Sequence, residues 1–311
     1  LQRSLVVASQ KRNVYEIIER QSKKLINNGD YYVSLTWQEI VKVTNKQGDI
    51  WEERLIVKTL PEGEHAKQYV ETEDIFKKEI KMYTDVLPKM ENLLKHTEKS
   101  GDCLWPSYIG MTPYNMLLLQ DLTAKGYQKV DRHLGLDLEH SLFAFKAIAK
   151  FHILSVALRD ELMLQSQKFV RFGSIENFRL DKVFVKKLQV LGKTMHDEWE
   201  PKWHRLADHL TNNAEEITLR FKEICQIKDN NFNVLNHGDP WTSNILFKYS
   251  EFSGKLIGIR FIDFQLRHYG SFALDLQYLL HTSAQTDVMK NNMDDLLVAY
   301  HESLVTTARK L

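Results

Sequence analysis

Cysteine is nearly absent from this chain: Cys103 and Cys225 are the only two in 311 residues. They lie far apart and lack metal-ligand spacing, which speaks against a disulfide framework and a cysteine-ligated metal. Reduced thiols serving as core fillers, in a cytoplasmic compartment, are expected instead. An excess of either charge is missing as well. Lys plus Arg number 42 against 41 Asp plus Glu, so a formal charge of +1 supplies no global field for nucleic acid. No apolar run approaches the roughly 20 residues that span a bilayer, and the N-terminus lacks the h-region of a signal peptide, so no membrane partner is expected. Repeats, low-complexity tracts and basic stripes are missing too. The chain opens at Leu1 rather than Met, as expected of a piece of a longer protein. What is present is a 43% hydrophobic composition, enough for a substantial core, in a length that suggests two lobes.

Chemistry-bearing residues concentrate between Leu235 and Gln265. Two apolar runs, Ile245 to Phe247 and Leu256 to Ile262, flank a connection rich in Ser, Glu, Gly and Lys, which predicts a buried β-hairpin. Asp239 and Asn244 precede the first strand and Asp263 closes the second, so the fold-back brings the three side chains to one end. Phosphoryl transfer needs a carboxylate to hold the attacking hydroxyl and oxygen ligands to hold Mg²⁺ on a triphosphate. Protein kinases meet this need with H-R-D-x-x-x-x-N followed by D-F-G. Here His237-Gly238-Asp239 is followed by Asn244 at the same Asp-to-Asn interval, and Asp263-Phe264 follows one hairpin later. Asp239 is therefore expected as the base, with Asn244 and Asp263 as metal ligands. Pro240 biases Asp239 away from the helical region, which suits a rigid loop.

Upstream, Val14, Ile17, Ile18 and Leu25 predict an amphipathic helix ended by Asn27, Asn28 and Gly29. An antiparallel meander follows, with strands from Tyr31 to Leu35, around Glu39 to Val43, and from Trp51 to Leu60. Lys58 ends an apolar run like the strand lysine of kinases that contacts nucleotide phosphates. A helix from Thr72 to Val86 buries Ile75, Phe76, Ile80 and Tyr83, and Glu79 edges that stripe. A buried Glu needs a cation, and Lys58 is the candidate. The segment Asn27 to Ser34 is expected to cover the phosphates. Met116 to Gln120 reads as a buried strand, and Asp121 to Gly126 as the lobe boundary, where extended backbone would bond the adenine edge.

Beyond this boundary the pattern is helical: Glu139 to Leu158, Leu180 to Leu191, Leu206 to Ile227 and Met293 to Leu311. His152, on the apolar face of the first, is expected as a hydrogen-bonded core residue. Trp199, Trp203 and His204 stand at helical spacing, where Trp usually packs in a core, with lining of an acceptor pocket the alternative. Asp275 is expected to brace the catalytic loop by accepting its backbone N–H groups.

With Lys58, Glu79, Leu118 to Leu122, Lys150-Phe151-His152, the H-G-D-P-W-T-S-N loop from His237 and the I-D-F-Q strand end from Ile262, the chain resembles the ecdysteroid kinase-like family. That family is related to choline kinases and aminoglycoside phosphotransferases, and the likeness runs from about Asn27 to the C-terminal helix. Trp241 and Gln265 mark the branch, whereas Gln120 and Tyr31 stand where the family usually has Glu and Asn. The resemblance implies an α+β, bilobal protein-kinase-like fold, with an N-terminal antiparallel-sheet lobe (residues 1–121) and a mainly helical C-terminal lobe (122–311). It also implies ATP as phosphoryl donor, Mg²⁺, and a small-molecule alcohol acceptor, an ecdysteroid or related apolar compound. By this resemblance Asp239 is the base and Asn244 and Asp263 hold the metal. Lys58 pairs with Glu79 and the phosphates, Gln120 and Leu122 flank the adenine, and Ser34 is the phosphate-loop hydroxyl. A choline- or aminoglycoside-type kinase, or a nucleotide- or steroid-binding module without catalysis, are the alternatives.

Overall fold

The computed structural model describes residues 14–25, 34–64, 74–97, 103–112, 115–159, 180–228 and 231–311. The N-terminal region is an antiparallel sheet of β1 (Glu16–Lys24), β2 (Leu35–Thr44), β3 (Ile50–Thr59), β4 (Tyr108–Thr112) and β5 (Met116–Gln120), in the order β1-β2-β3-β5-β4. Strand alternation divides its side chains between two faces. Val41, Val43, Leu55, Val57 and Leu118 fill a cluster on one face. Leu117 and Leu119 join the main core with Ile75, Phe76 and Ile80 on the other.

The first segment corrects the sequence reading. Residues Glu16–Lys24 form an edge strand paired along β2, not a helix. Ile17 is buried and Ile18 is 51% exposed, a period-two alternation that the helical stripe had merged. The pairing also meets an electrostatic need. Glu39 of β2 is buried, and Arg20 and Ser22 of β1 supply its donors at 2.7–2.8 Å. The expected stop at Asn27 to Gly29, most of the phosphate-covering segment, and the start of the strand at Tyr31 lie outside the described residues.

The helix carrying Glu79 runs as α1 (Ile75–Lys81), a π-helical turn (Met82–Val86) and α2 (Leu87–Thr97). Pro88 has no N–H for the Thr84 carbonyl, and the widened turn absorbs that missing donor. After β5 the chain turns through Thr123–Lys125 to β6 (Tyr127–Gln128). There follow α3 (Leu138–Ala157), α4 (Leu180–Glu198), α5 (His204–Asn212) and α6 (Ala214–Cys225). The single helix expected from Leu206 to Ile227 is broken at Asn213, whose Nδ2 donates to the His209 carbonyl at 3.0 Å. Trp199 and Trp203 are 46% and 41% exposed and meet edge to face, so neither is core. β7 (Asn233–Asn236) pairs with β10 (His268–Ser271), and between them lies the hairpin of β8 (Ile245–Tyr249) and β9 (Leu256–Phe261). The chain closes with α7 (Ala273–Ser283), α8 (Thr286–Asn291) and α9 (Met293–Ala308), which packs along α3.

The molecule is thus α+β, sheet first and helices after. Cys103 and Cys225 are free thiols, and burial pushes both up to about 11. Among the described residues no helix is long and apolar enough to cross a membrane.

Candidate active site

The hairpin sets the site. Ile245 pairs with Phe261, and the Ile262 N–H donates to the Asn244 carbonyl at 3.0 Å, so Asn244 stands beside the residue that precedes Asp263. Asp263 adopts the left-handed conformation, φ 70° and ψ 65°. This is uncommon for a residue with a Cβ and is tolerated best by Asp and Asn. The turn sends its carboxylate towards β3, where Lys58 Nζ donates to Oδ1 at 2.9 Å.

Lys58 is the hub of that contact. Its ammonium also meets both oxygens of Glu79 on α1 at 2.7 Å, which realises the expected strand-to-helix pair. Burial opposes the charge on Lys58, but Asp263 and Glu79 together outweigh it and raise its pKa. Burial lifts Glu79 to about 7, with Lys58 pulling the other way.

The loop before β8 is pinned from several sides. Gly238 has φ 86°, a conformation open to glycine and strained for other residues. Asp275, buried on α7, accepts the His237 N–H at 2.6 Å and the Gly238 N–H at 2.9 Å, the brace expected of it. His152 Nε2 lies 3.0 Å from the same carboxylate, and its Nδ1 is 2.9 Å from the Tyr300 hydroxyl, so this core histidine orients the brace. Burial works against ionised Asp275, but His152 more than offsets it and holds the carboxyl below the usual range. His237 is buried and its pKa is lowered by that burial. Its Nδ1 accepts the Asp239 N–H at 3.3 Å, which leaves Nε2 to donate to the Ile262 carbonyl at 3.1 Å. Its ring also packs on Phe264, whose edge contacts Tyr83.

Asp239 and Asn244 are joined directly. Asn244 Nδ2 donates to Asp239 Oδ2 at 2.8 Å and to the Asp239 carbonyl at 3.0 Å. Tyr278 donates to the other oxygen, Oδ1, at 2.8 Å. Burial lifts the Asp239 carboxyl to about 7, partly offset by the bond from Tyr278. Neutral pH is where a proton acceptor of this kind is useful.

The structure therefore joins Lys58, Glu79 and Asp263 by side-chain bonds, joins Asp239 and Asn244 by another, and links the two sets through the Ile262 N–H on the Asn244 carbonyl. Ser34 is buried at the start of β2, whose Thr36 lies opposite Lys58. Gln120 ends β5 with its N–H on the Ser107 carbonyl. Leu122 packs with Tyr127, Leu246 and Ile262 in a small apolar cluster. Three neighbours of these residues were not singled out by sequence reasoning. Tyr278 was detectable as the residue one helical turn beyond Asp275. Asp121, which accepts from Gln38 of β2 at 2.7 Å and from Thr123, was passed over as part of a turn. Leu246 read only as strand core.

Asn244 and Asp263 offer an amide oxygen and a carboxylate, hard donors in small number. Such a set suits Mg²⁺, which keeps waters and substrate phosphates as its other ligands. Among the described residues no group of three or more His, Cys, Asp or Glu is placed to form an all-protein metal cage.

A sheet whose lysine reaches across to the aspartate closing a hairpin, ahead of a helical region, defines the class of kinase-like phosphotransferases. The profile of the ecdysteroid kinase-like family matches residues 28–311, and the chain belongs to that family of small-molecule kinases. Comparison with curated proteins finds no match. Among solved structures 26 chains match, one of them a choline/ethanolamine kinase family protein from Mesorhizobium loti. It is 12% identical, with 93% of this chain and 75% of that chain covered and a TM-score of 0.41. A score that low adds nothing to the assignment, which rests on the family match.

Proposed function

We propose that the protein transfers the γ-phosphoryl group of ATP to the hydroxyl of a small apolar alcohol, an ecdysteroid or related compound. The observation that carries this is the assembly of Asp239, Asn244, Asp263 and Lys58 at one hairpin end, with Asp239 lifted to about 7. On this reading residues 1–121 receive the nucleotide and 122–311 the acceptor. Adenine lies against Leu122, with Leu246 and Ile262 beneath, and bonds the backbone at Gln120 and Leu122. Lys58, fixed by Glu79, meets the phosphates, and Ser34 contributes a hydroxyl. Asn244 and Asp263 would hold Mg²⁺, which neutralises charge on the triphosphate when bound. The acceptor oxygen forms a bond to Pγ as the bond from Pγ to the bridging oxygen of ADP breaks. Its proton passes to Asp239.

ATP consumption should be measured over a panel of ecdysteroids, sterols, choline and aminoglycosides. Steroid-dependent turnover is expected, with Asp239→Asn lowering it at least 100-fold while nucleotide binding persists. Turnover with choline or an aminoglycoside alone would replace the acceptor class. Nucleotide or steroid binding without turnover would leave a binding module.

A further inference from the structure

The loop that carries Asp239 is tied to α7 at two places. At its start Asp275 accepts the His237 and Gly238 N–H groups. At its far end the Thr242 N–H donates to Ser283 Oγ at 2.9 Å, in a bond closed to solvent, since Thr242 is 1% exposed and Ser283 2%. Asp275 and Ser283 are eight residues apart on one helix, about two turns and roughly 12 Å along its axis, so both meet the loop from the same side. Asp239 lies between the two ties. The second tie has its own support. The Ser283 carbonyl accepts the Leu136 N–H at 2.7 Å, and the Gln285 N–H donates to the Leu136 carbonyl at 2.9 Å. Gly135 passes so near that a Cβ there would sit 2.9 Å from the Ser283 carbonyl oxygen. The end of α7 is thus fixed against the segment that leads into α3.

Thr242 opens a 3₁₀ turn, Thr242–Asn244, and the N–H of a first helical residue has no partner inside its own turn. The Ser283 hydroxyl supplies that partner. Without it a buried N–H is left unbonded, which costs more than an ordinary hydrogen bond contributes, so the turn moves to recover an acceptor. Asn244 moves with it, and Asn244 Nδ2 is what holds the Asp239 carbonyl and Oδ2. We propose that Ser283 is a positioning residue: its hydroxyl fixes the Thr242–Asn244 turn and through it sets Asn244 against Asp239. The inference rests on the kinase reading for its consequence in turnover and on geometry alone for the hold on the loop.

The test is Ser283→Ala in the full chain, which deletes the hydroxyl and keeps the Cβ. Thr282→Ala is the control, because Thr282 Oγ1 lies 3.1 Å from Ser283 Oγ but donates to the Tyr278 carbonyl of its own helix. Protein labelled with ¹⁵N at Thr and Asn is followed by NMR, with the Thr242 amide assigned by Thr242→Ser and the Asn244 side-chain amide by Asn244→Asp. In Ser283→Ala the Thr242 amide should exchange with solvent at least about tenfold faster, while those of the buried Thr218 on α6 and Thr307 on α9 keep their rates. The Asn244 side-chain resonances should shift. With the best acceptor from the panel, kcat should fall about tenfold with KM for ATP unchanged. Thr282→Ala should match wild type throughout. An unchanged Thr242 rate overturns the proposal, and so does faster exchange spread equally over the three threonines, which would mark Ser283 as a stabiliser of the whole fold. Unmoved Asn244 resonances, an unchanged kcat in an active enzyme, or the same changes in Thr282→Ala overturn it too. If wild-type protein phosphorylates nothing in the panel, only the kinase reading fails. The exchange rate and the Asn244 resonances then still decide whether Ser283 sets the turn.

Discussion

At Gly238 the backbone runs at φ 86° and passes so close to residue 266 that a Cβ would sit 2.0 Å from the Leu266 carbonyl oxygen and 2.5 Å from its carbon. Both neighbours are main chain, so no side-chain rotation relieves the clash. The loop itself cannot retreat freely, because Asp275 grips the His237 and Gly238 N–H groups. Gly238→Ala should therefore displace the segment that carries Asp239. Misplacement by about 1 Å of a reacting group can cost roughly 100-fold in rate, and that is the loss expected here. Strain at a left-handed non-glycine residue adds about 1–3 kcal/mol of destabilisation. Steady-state kinetics together with urea denaturation check both. A variant with wild-type kcat would show that the loop tolerates movement.

Between elements, the joint that matters most is Lys58, where β3, α1 and the end of the hairpin meet in one buried cation with two carboxylates. Replacing it by Met leaves Glu79 and Asp263 facing each other without a counter-charge, and breaking a buried pair from one side costs about 3–5 kcal/mol. The cost depends on pH. Glu79 already has its pKa raised to about 7 against 4.5 for an ordinary Glu, so ionised Glu79 is less favourable in the folded chain than in the unfolded one. Stability tied to this group is fully present below about pH 4.5 and is lost as pH rises through the folded value. Removing Lys58 lifts that value further. Lys58→Met should thus be strongly destabilised at pH 8 and much less so at pH 5.5, as measured by denaturant midpoints at both. An equal penalty at the two values would mean that Glu79 does not titrate in the fold.

The same joint shows which elements could be read from the sequence and which could not. Lys58 and Glu79 were found because each is a charge on an apolar element, and burial forces such charges to seek each other. Asp239, Asn244 and Asp263 were legible as a candidate set because they sit at fixed intervals around two recognisable strands. β1 was not, since Glu16 to Lys24 carries mostly charged and polar side chains. An edge strand of that kind is specified by its partner β2 and by the buried Glu39, not by its own pattern. The break at Asn213 goes with two bonds to the His209 carbonyl, from its backbone N–H and its Nδ2, which periodicity does not register. Tyr278 reaches Asp239 across 39 positions, a contact that no local spacing encodes.

Over the whole molecule, the sheet-bearing region and the helical region are tied by contacts at several points. Lys58 bonds Asp263, the Arg267 Nε–H donates to the Lys78 carbonyl, Tyr83 packs on Phe264, and Gln38 donates to Asp121. The last of these lies at the connection itself, and the first lies where the proposed phosphates and metal would sit. A ligand binding there touches both regions at once, so its binding free energy is shared by the whole fold. Heating should give one cooperative transition, and MgATP at 100 times its Kd should stabilise the protein by about 2.7 kcal/mol, moving that transition as a unit by several degrees. EDTA should shrink the shift, because Asn244 and Asp263 would then face the triphosphate without a cation, and Lys58→Met should shrink it as well. Differential scanning calorimetry resolves the matter. Two transitions, of which MgATP moves only one, would show that the ties between the regions are too weak to couple them, and no shift at all would remove the nucleotide site.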